Sequence, residues 1–114
     1  MAESPSINRI AVTLIPTEVC LDWINAHDEK TFTLDEIQQD PTVFLFPQGD
    51  GESESQVRRH FKELFLEELN SWYTEPSMWP KDLSFKTFKK FFTVHVSTMV
   101  FDLGKGEIVK ESED

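Results

Sequence analysis

The residues that could do chemistry are few and scattered. Cys20 is the only thiol, His27, His60 and His95 are the only imidazoles, and Asp22 and Asp28 are the carboxylates nearest Cys20 and His27. A thiol beside an imidazole would make a nucleophile and base pair. Cys20 and His27 share a helical face but lie two turns, about 10 Å, apart along the axis, too far to touch. They read as a small buried thiol and a boundary histidine. His60 falls at the rim of an apolar helical arc and reads the same way. His95 alternates away from Val94 and Val96, so it is expected on the open side of a sheet. Glu68 is the anomaly: it sits four after Leu64, seven after Phe61 and four before Trp72, inside an apolar stripe. An unpaired carboxylate there is costly or takes up a proton. The expected resolution is a helix that frays or bends near its end, or a link to a lysine of the Lys86–Lys90 segment. The functional alternative is an acid of raised pKa facing a cleft beneath the aromatic segment that holds Trp72, Tyr73 and Trp79.

No phosphate-cradling loop, dinucleotide fingerprint, nucleophile elbow or helical metal motif is present. The four glycines, at 49, 51, 104 and 106, leave little from which to build such loops. Gly49-Asp50-Gly51 precedes a helix start, where free N–H groups can hold an anion, but Asp50, Glu52 and Glu54 oppose a phosphate. One cysteine cannot make an internal disulfide or a cysteine-built zinc site, which suits a reducing compartment. No catalytic residue, metal or cofactor is therefore expected. Trp72, Tyr73 and Trp79, beside Pro76 and Pro80, either pin their segment onto the core or present anchors to a partner. Arg58, Arg59 and Lys62, with Lys86, Lys89 and Lys90, form two basic clusters among phenylalanines. A net charge of −10 repels a polyanion over a Debye length of about 8 Å and beyond, so these read as solvated helix faces and no nucleic-acid partner is expected.

Charge is sorted along the chain. Residues 1–56 hold eleven acids and two bases, residues 57–106 eight bases and six acids, and residues 107–114 four acids and one base. Glu18, Asp22, Asp35 and Glu36 are the expected acidic surface, and a basic protein is the partner it would attract. The start, Met1-Ala2-Glu3-Ser4-Pro5, lacks the basic and apolar regions of a secretion signal, and no apolar run approaches the roughly 20 residues that span a bilayer. A cytoplasmic protein without a membrane partner is the expectation.

These side chains must be positioned by a short series of elements. Ile10, Val12 and Leu14 alternate with Ala11 and Thr13, the period of a half-buried strand that Pro16 ends. From Thr17, helical spacing aligns Cys20, Ile24 and His27, flanked by Val19, Leu21 and Trp23. Thr33 and Glu36 have capping-box spacing for a short helix to about Gln39, stopped by Asp40-Pro41. Thr42–Phe46 is a continuous β-prone run, which suits a central strand or one covered on both faces. Pro47–Gly51 is a loop. Ser53 and Gln56 have capping-box spacing for the longest helix, to about Asn70 or Trp72, with Val57, Phe61, Leu64, Phe65, Leu69 and Trp72 on its apolar side. Ser84 caps a short helix through Lys90. A last strand is expected over Phe92–Leu103 with a bulge or twist near Ser97–Thr98, where its apolar residues change parity. Gly104-Lys105-Gly106 could turn it into a short return strand, Glu107–Lys110.

At 114 residues with ten Phe and three Trp, the chain can bury one core, each Phe contributing roughly 1.5–3 kcal/mol when fully buried. The order of elements predicts an α+β fold, a two-layer α/β sandwich with a three- or four-stranded mixed sheet and helices on one face. The first crossover is expected to join parallel strands. Arg9, Ala11, Thr13, Thr93, His95 and Ser97 would line the open face. The expected organisation is a flexible segment 1–7, one domain over 8–106, and an acidic tail or short edge strand over 107–114.

The segments Arg9–Pro16, Leu21-Asp22-Trp23, Asp40–Leu45 and Trp72–Pro80 resemble those of a group of short acidic bacterial proteins of unassigned function. The resemblance covers roughly residues 8–103 and implies a self-standing domain in a bacterial cytosol. It is carried by core and loop residues, so no functional residue is transferred by it. The function expected from the residues is a protein-interaction module of adaptor, inhibitor or immunity type that binds a basic partner. The alternative is a small-ligand binder or enzyme with a cleft between the long helix and residues 73–80, using Glu68 and His95. A monomer, or a homodimer through a strand edge or the open sheet face, is the expected state.

Overall fold

The computed structural model describes residues 6–49 and 53–111. Part of the expected segment 1–7, the tip of the Pro47–Gly51 loop and the last acids of the tail lie outside the described residues. In order, the chain forms β1 (Arg9–Pro16), α1 (Glu18–His27), α2 (Leu34–Gln38), β2 (Thr42–Pro47), α3 (Ser53–Trp72), a single 3-10 turn (Pro76–Met78), α4 (Phe85–Phe91) and β3 (Phe92–Ser97). The class is α+β, with the sheet order β2-β1-β3.

Alternation in β1 decides the layering. Ile10, Val12 and Leu14 are buried under the helices while Ala11, Thr13 and Ile15 remain partly exposed on the other face. Register carries this pattern sideways: Val12 lies opposite Phe44 of β2 and Val96 of β3, and Thr13 lies opposite Val43 and His95. All helices that contribute to the core therefore share one side of the sheet.

Both strand pairs are antiparallel, which corrects the expected parallel first crossover and the mixed sheet. Ten-residue α1 runs only about 15 Å against the roughly 26 Å of β1. Residues 28–41 then bring the chain back to the end of β1 from which it left. Gln38 fixes that return by donating its side-chain N–H to the Pro16 carbonyl at 2.8 Å. β2 consequently starts opposite Leu14 and has to run against β1.

The run Thr42–Phe46 forms an edge strand and not a central or doubly covered one: Val43 and Leu45 are exposed. β3 also differs from expectation. It ends at Ser97 with a bend at Thr98, so the parity change marks the end of the strand, and no return strand forms at 107–110. Ser53 already lies within α3 and so is not its cap, and the Gln56 side chain packs against Gly49.

Helix ends follow their local chemistry. Thr33 and Glu36 close a full capping box on α2, and the Ser84 hydroxyl accepts from the Thr87 N–H at the start of α4. Thr17 precedes α1 but does not cap it with its side chain. Its hydroxyl donates to the Lys90 and Phe91 carbonyls and its N–H to Phe91 at 2.9 Å, tying α1 to the end of α4. Beneath this joint Phe65 meets Phe88, Phe91 and Phe92 with ring centroids 5.6, 5.4 and 6.0 Å apart, edge to face. Phe88 is fully buried. Phe88→Ala is expected to lower stability by about 3–5 kcal/mol, read from the midpoint of denaturant unfolding with an unchanged slope.

Candidate functional site

The aromatic segment after α3 is stapled to α1. Tyr73 donates its hydroxyl to the Ile24 carbonyl at 2.7 Å, and Trp23 donates its indole N–H to the Met78 carbonyl at 2.8 Å. Trp79 closes the segment on itself through Tyr73 O at 2.7 Å. Trp72 packs edge to face on Phe32, centroids 5.3 Å apart. Trp23, Tyr73 and Trp79 thus each find an acceptor for the polar hydrogen they carry into the apolar layer. Trp72, Tyr73 and Trp79 are all half-buried in this arrangement.

Glu68 stays helical, because α3 continues through Trp72 without fraying. No lysine lies within ion-pair distance of it among the described residues, where only Lys30–Glu36 and His60–Glu63 pair. Its Oε1 is buried without a hydrogen-bond partner. Burial raises its pKa, the Thr42 hydroxyl offsets part of that, and the charge of Glu67 adds to it. The carboxyl faces a cavity of about 220 Å³ whose other walls include Ile37, Asp40, Thr42, Ser71 and Trp72. None of residues 73–80 lines this space. The groove that does run between α3 and the aromatic segment, about 430 Å³, meets that segment at Trp79 alone and excludes Glu68.

The remaining chemistry-bearing groups do not converge on Glu68. His95 stands exposed on the bare face of the sheet opposite Thr13, the face away from α3. Cys20 is buried, and burial, followed by the Glu68 charge, pushes its thiol up to about 12, which removes it as a nucleophile near neutral pH. His27 lies against the Trp23 carbonyl at 2.9 Å and the Tyr73 ring at 5.7 Å. No three His, Cys, Asp or Glu side chains cluster as metal ligands among the described residues. No described helix is long and apolar enough to cross a membrane.

Glu18, Asp22, Asp35 and Glu36 are exposed on α1 and α2. Glu36 alone of the four is engaged: Thr33 N–H and hydroxyl hold its carboxylate below the usual range, and Lys30 sits 3.8 Å away. Asp28, Glu29 and Asp40 are exposed as well, so residues 17–40 show seven carboxylates to solvent against one lysine. On the other helices the basic residues are partly spent on rings, with Arg58 4.9 Å and Lys89 6.0 Å from the centre of Phe85. No protein-family model, curated protein or solved structure matches this chain.

Two outcomes follow. Tyr73→Phe loses one half-buried hydrogen bond and should lower stability by about 1 kcal/mol, measured by chemical denaturation. Glu68 binds its proton more tightly folded than unfolded, so its contribution to stability is present below the unfolded value near 4.5 and is lost as pH rises through the folded pKa. Glu68→Gln is therefore expected to raise the melting temperature over the parent at pH 7, with the gain shrinking at pH 4. An equal gain at both pH values, or none, contradicts the assignment.

Proposed function

We propose that this domain acts by binding another protein through the acidic surface of α1 and α2, in a reducing cytosol, as an adaptor, inhibitor or immunity-type module. The observation that supports this most is the seven solvent-facing carboxylates of residues 17–40 set against Lys30 alone. Like charges in such excess over Lys30 repel one another. A cationic surface relieves that repulsion and is drawn in over a distance set by ionic strength. The scatter of Cys20, Glu68 and His95 favours binding over chemistry, because acid-base or nucleophilic catalysis needs such groups within hydrogen-bond reach.

The cavity at Glu68 favours a second reading, a small-ligand site between α2, α3 and the start of β2, separate from the aromatic segment. Its walls combine apolar Ile37 and Trp72 with Asp40, Thr42 and Ser71. A ligand there would have to satisfy the orphaned Glu68 oxygen, so a hydrogen-bond donor or cation is the class it would take.

The test of the first reading compares the parent chain, immobilised, with a Glu18→Lys, Asp22→Lys, Asp35→Lys variant, leaving Glu36 to cap α2. Proteins retained from a lysate should be basic, should elute as salt rises to moderate strength, and should be lost from the variant. Retention indifferent to salt and to charge reversal, or no retention even at low salt, would sink it.

A further inference from the structure

β2 is apolar on both faces and forms one edge of the sheet. Val43 and Leu45 are 53% and 45% exposed, and the edge of β2 away from β1 has no strand partner among the described residues. Along that edge, between β2 and α3, runs a groove of about 350 Å³ walled by Phe44, Phe46, His60, Glu63 and Leu64. An apolar edge of this kind is a template for another strand. A strand added there sends alternate side chains into the groove.

The chain carries a segment with that alternation. Beyond Ser97 the described residues form no helix or strand, and Met99, Phe101 and Leu103 are 67%, 47% and 79% exposed. In extended backbone these three share one face and Lys105 continues it, while Val100, Asp102 and Gly104 take the other. Lys105 suits the helical wall of the groove, which presents Glu63 and Glu67. The principal extents of 52 × 29 × 29 Å and a radius of gyration of 16.1 Å, against about 13 Å for a compact chain of this length, fit an arm that leaves the body.

The arm cannot serve its own groove. The Ile7 N–H donates to the Val100 carbonyl at 2.7 Å, which holds the arm on the β3 side of the sheet, just before β1 begins. A strand outside β2 would lie three strand spacings, about 14 Å, from β3. Phe101 follows Val100 directly, and one residue spans at most about 3.6 Å.

We infer that Met99–Leu103 of one copy adds to the β2 edge of a second copy, and that the exchange is reciprocal, giving a two-fold homodimer. A self-complementary pair of surfaces on one chain closes in this way without leaving an open end. Met99, Phe101 and Leu103 would bring the exposed surface of three large apolar side chains against Phe44, Phe46 and Leu64 of the second copy's groove. The acidic surface of α1 and α2 takes no part, so this dimer stands whether or not a basic partner binds there.

Sedimentation over a wide concentration range tests it on the full chain, on a chain ending at Ser97, and on Phe101→Asp with Leu103→Asp. The full chain should be a dimer and the shortened chain a monomer with unchanged circular dichroism. The double substitution, at exposed positions that leave the core untouched, should weaken association at least about tenfold. A Phe101→Cys, His60→Cys chain, with Cys20 left in place because it is buried, should cross-link between copies on oxidation. A monomeric full chain, a dimer that survives the double substitution, or a 101–60 disulfide that forms within one chain or not at all would overturn the inference.

Discussion

The rest of the structure depends on the burial of one face of β1. Ile10, Val12 and Leu14 project into a layer where Phe65 holds Phe88, Phe91 and Phe92 edge to face. A shift of one residue would turn Ala11, Thr13 and Ile15 into that layer and expose the core set. Because the period of a strand is two and the helices all answer the same face, the opposite face is left without cover. The exposure of Val43, Leu45 and His95 is thus a consequence of how the core is built.

What was legible in the sequence was whatever local chemistry determines. Alternation located β1, capping residues located the starts of α2 and α4, and prolines ended β1 and interrupted the chain after α3. The α+β class followed from the order of these elements. The direction of β2 was not legible, because a continuous apolar run states no direction and the contact that sets it joins Gln38 to Pro16 across twenty-two residues. The same run reads as doubly covered because both of its faces are apolar, yet Val43 and Leu45 stay exposed among the described residues. The end of β3 was visible as a change of parity, but parity alone cannot separate a bulge from a stop.

The site was legible to a similar depth. Glu68 stood out by helical spacing, and it is half-buried there with its Oε1 lacking a hydrogen-bond partner. Its surroundings came from Asp40 and Thr42, which no spacing rule connects to α3. His95 was correctly placed on the bare face, and that placement separates it from Glu68 by the thickness of the sheet. The aromatic segment shows why Trp and Tyr are ambiguous in sequence: of the rings that could anchor a partner, Tyr73 and Trp79 spend their O–H and N–H groups on carbonyls of the same chain and Trp72 packs on Phe32. Thr17, which bonds two carbonyls at the end of α4, was missed. Its signal is a threonine at a cap position whose hydroxyl is needed elsewhere.

Two surfaces remain open for two physical causes: the excess of carboxylates on α1 and α2, and unfinished hydrogen bonding along β2. Amide hydrogen exchange of the full chain at low and high concentration tests it most directly, since an edge strand that gains a partner gains protection. The β2 amides not bonded to β1 and those of Met99–Leu103 should slow together as concentration rises, while α1 and α2 stay unchanged. Fast exchange of β2 and the arm at every concentration would contradict the account.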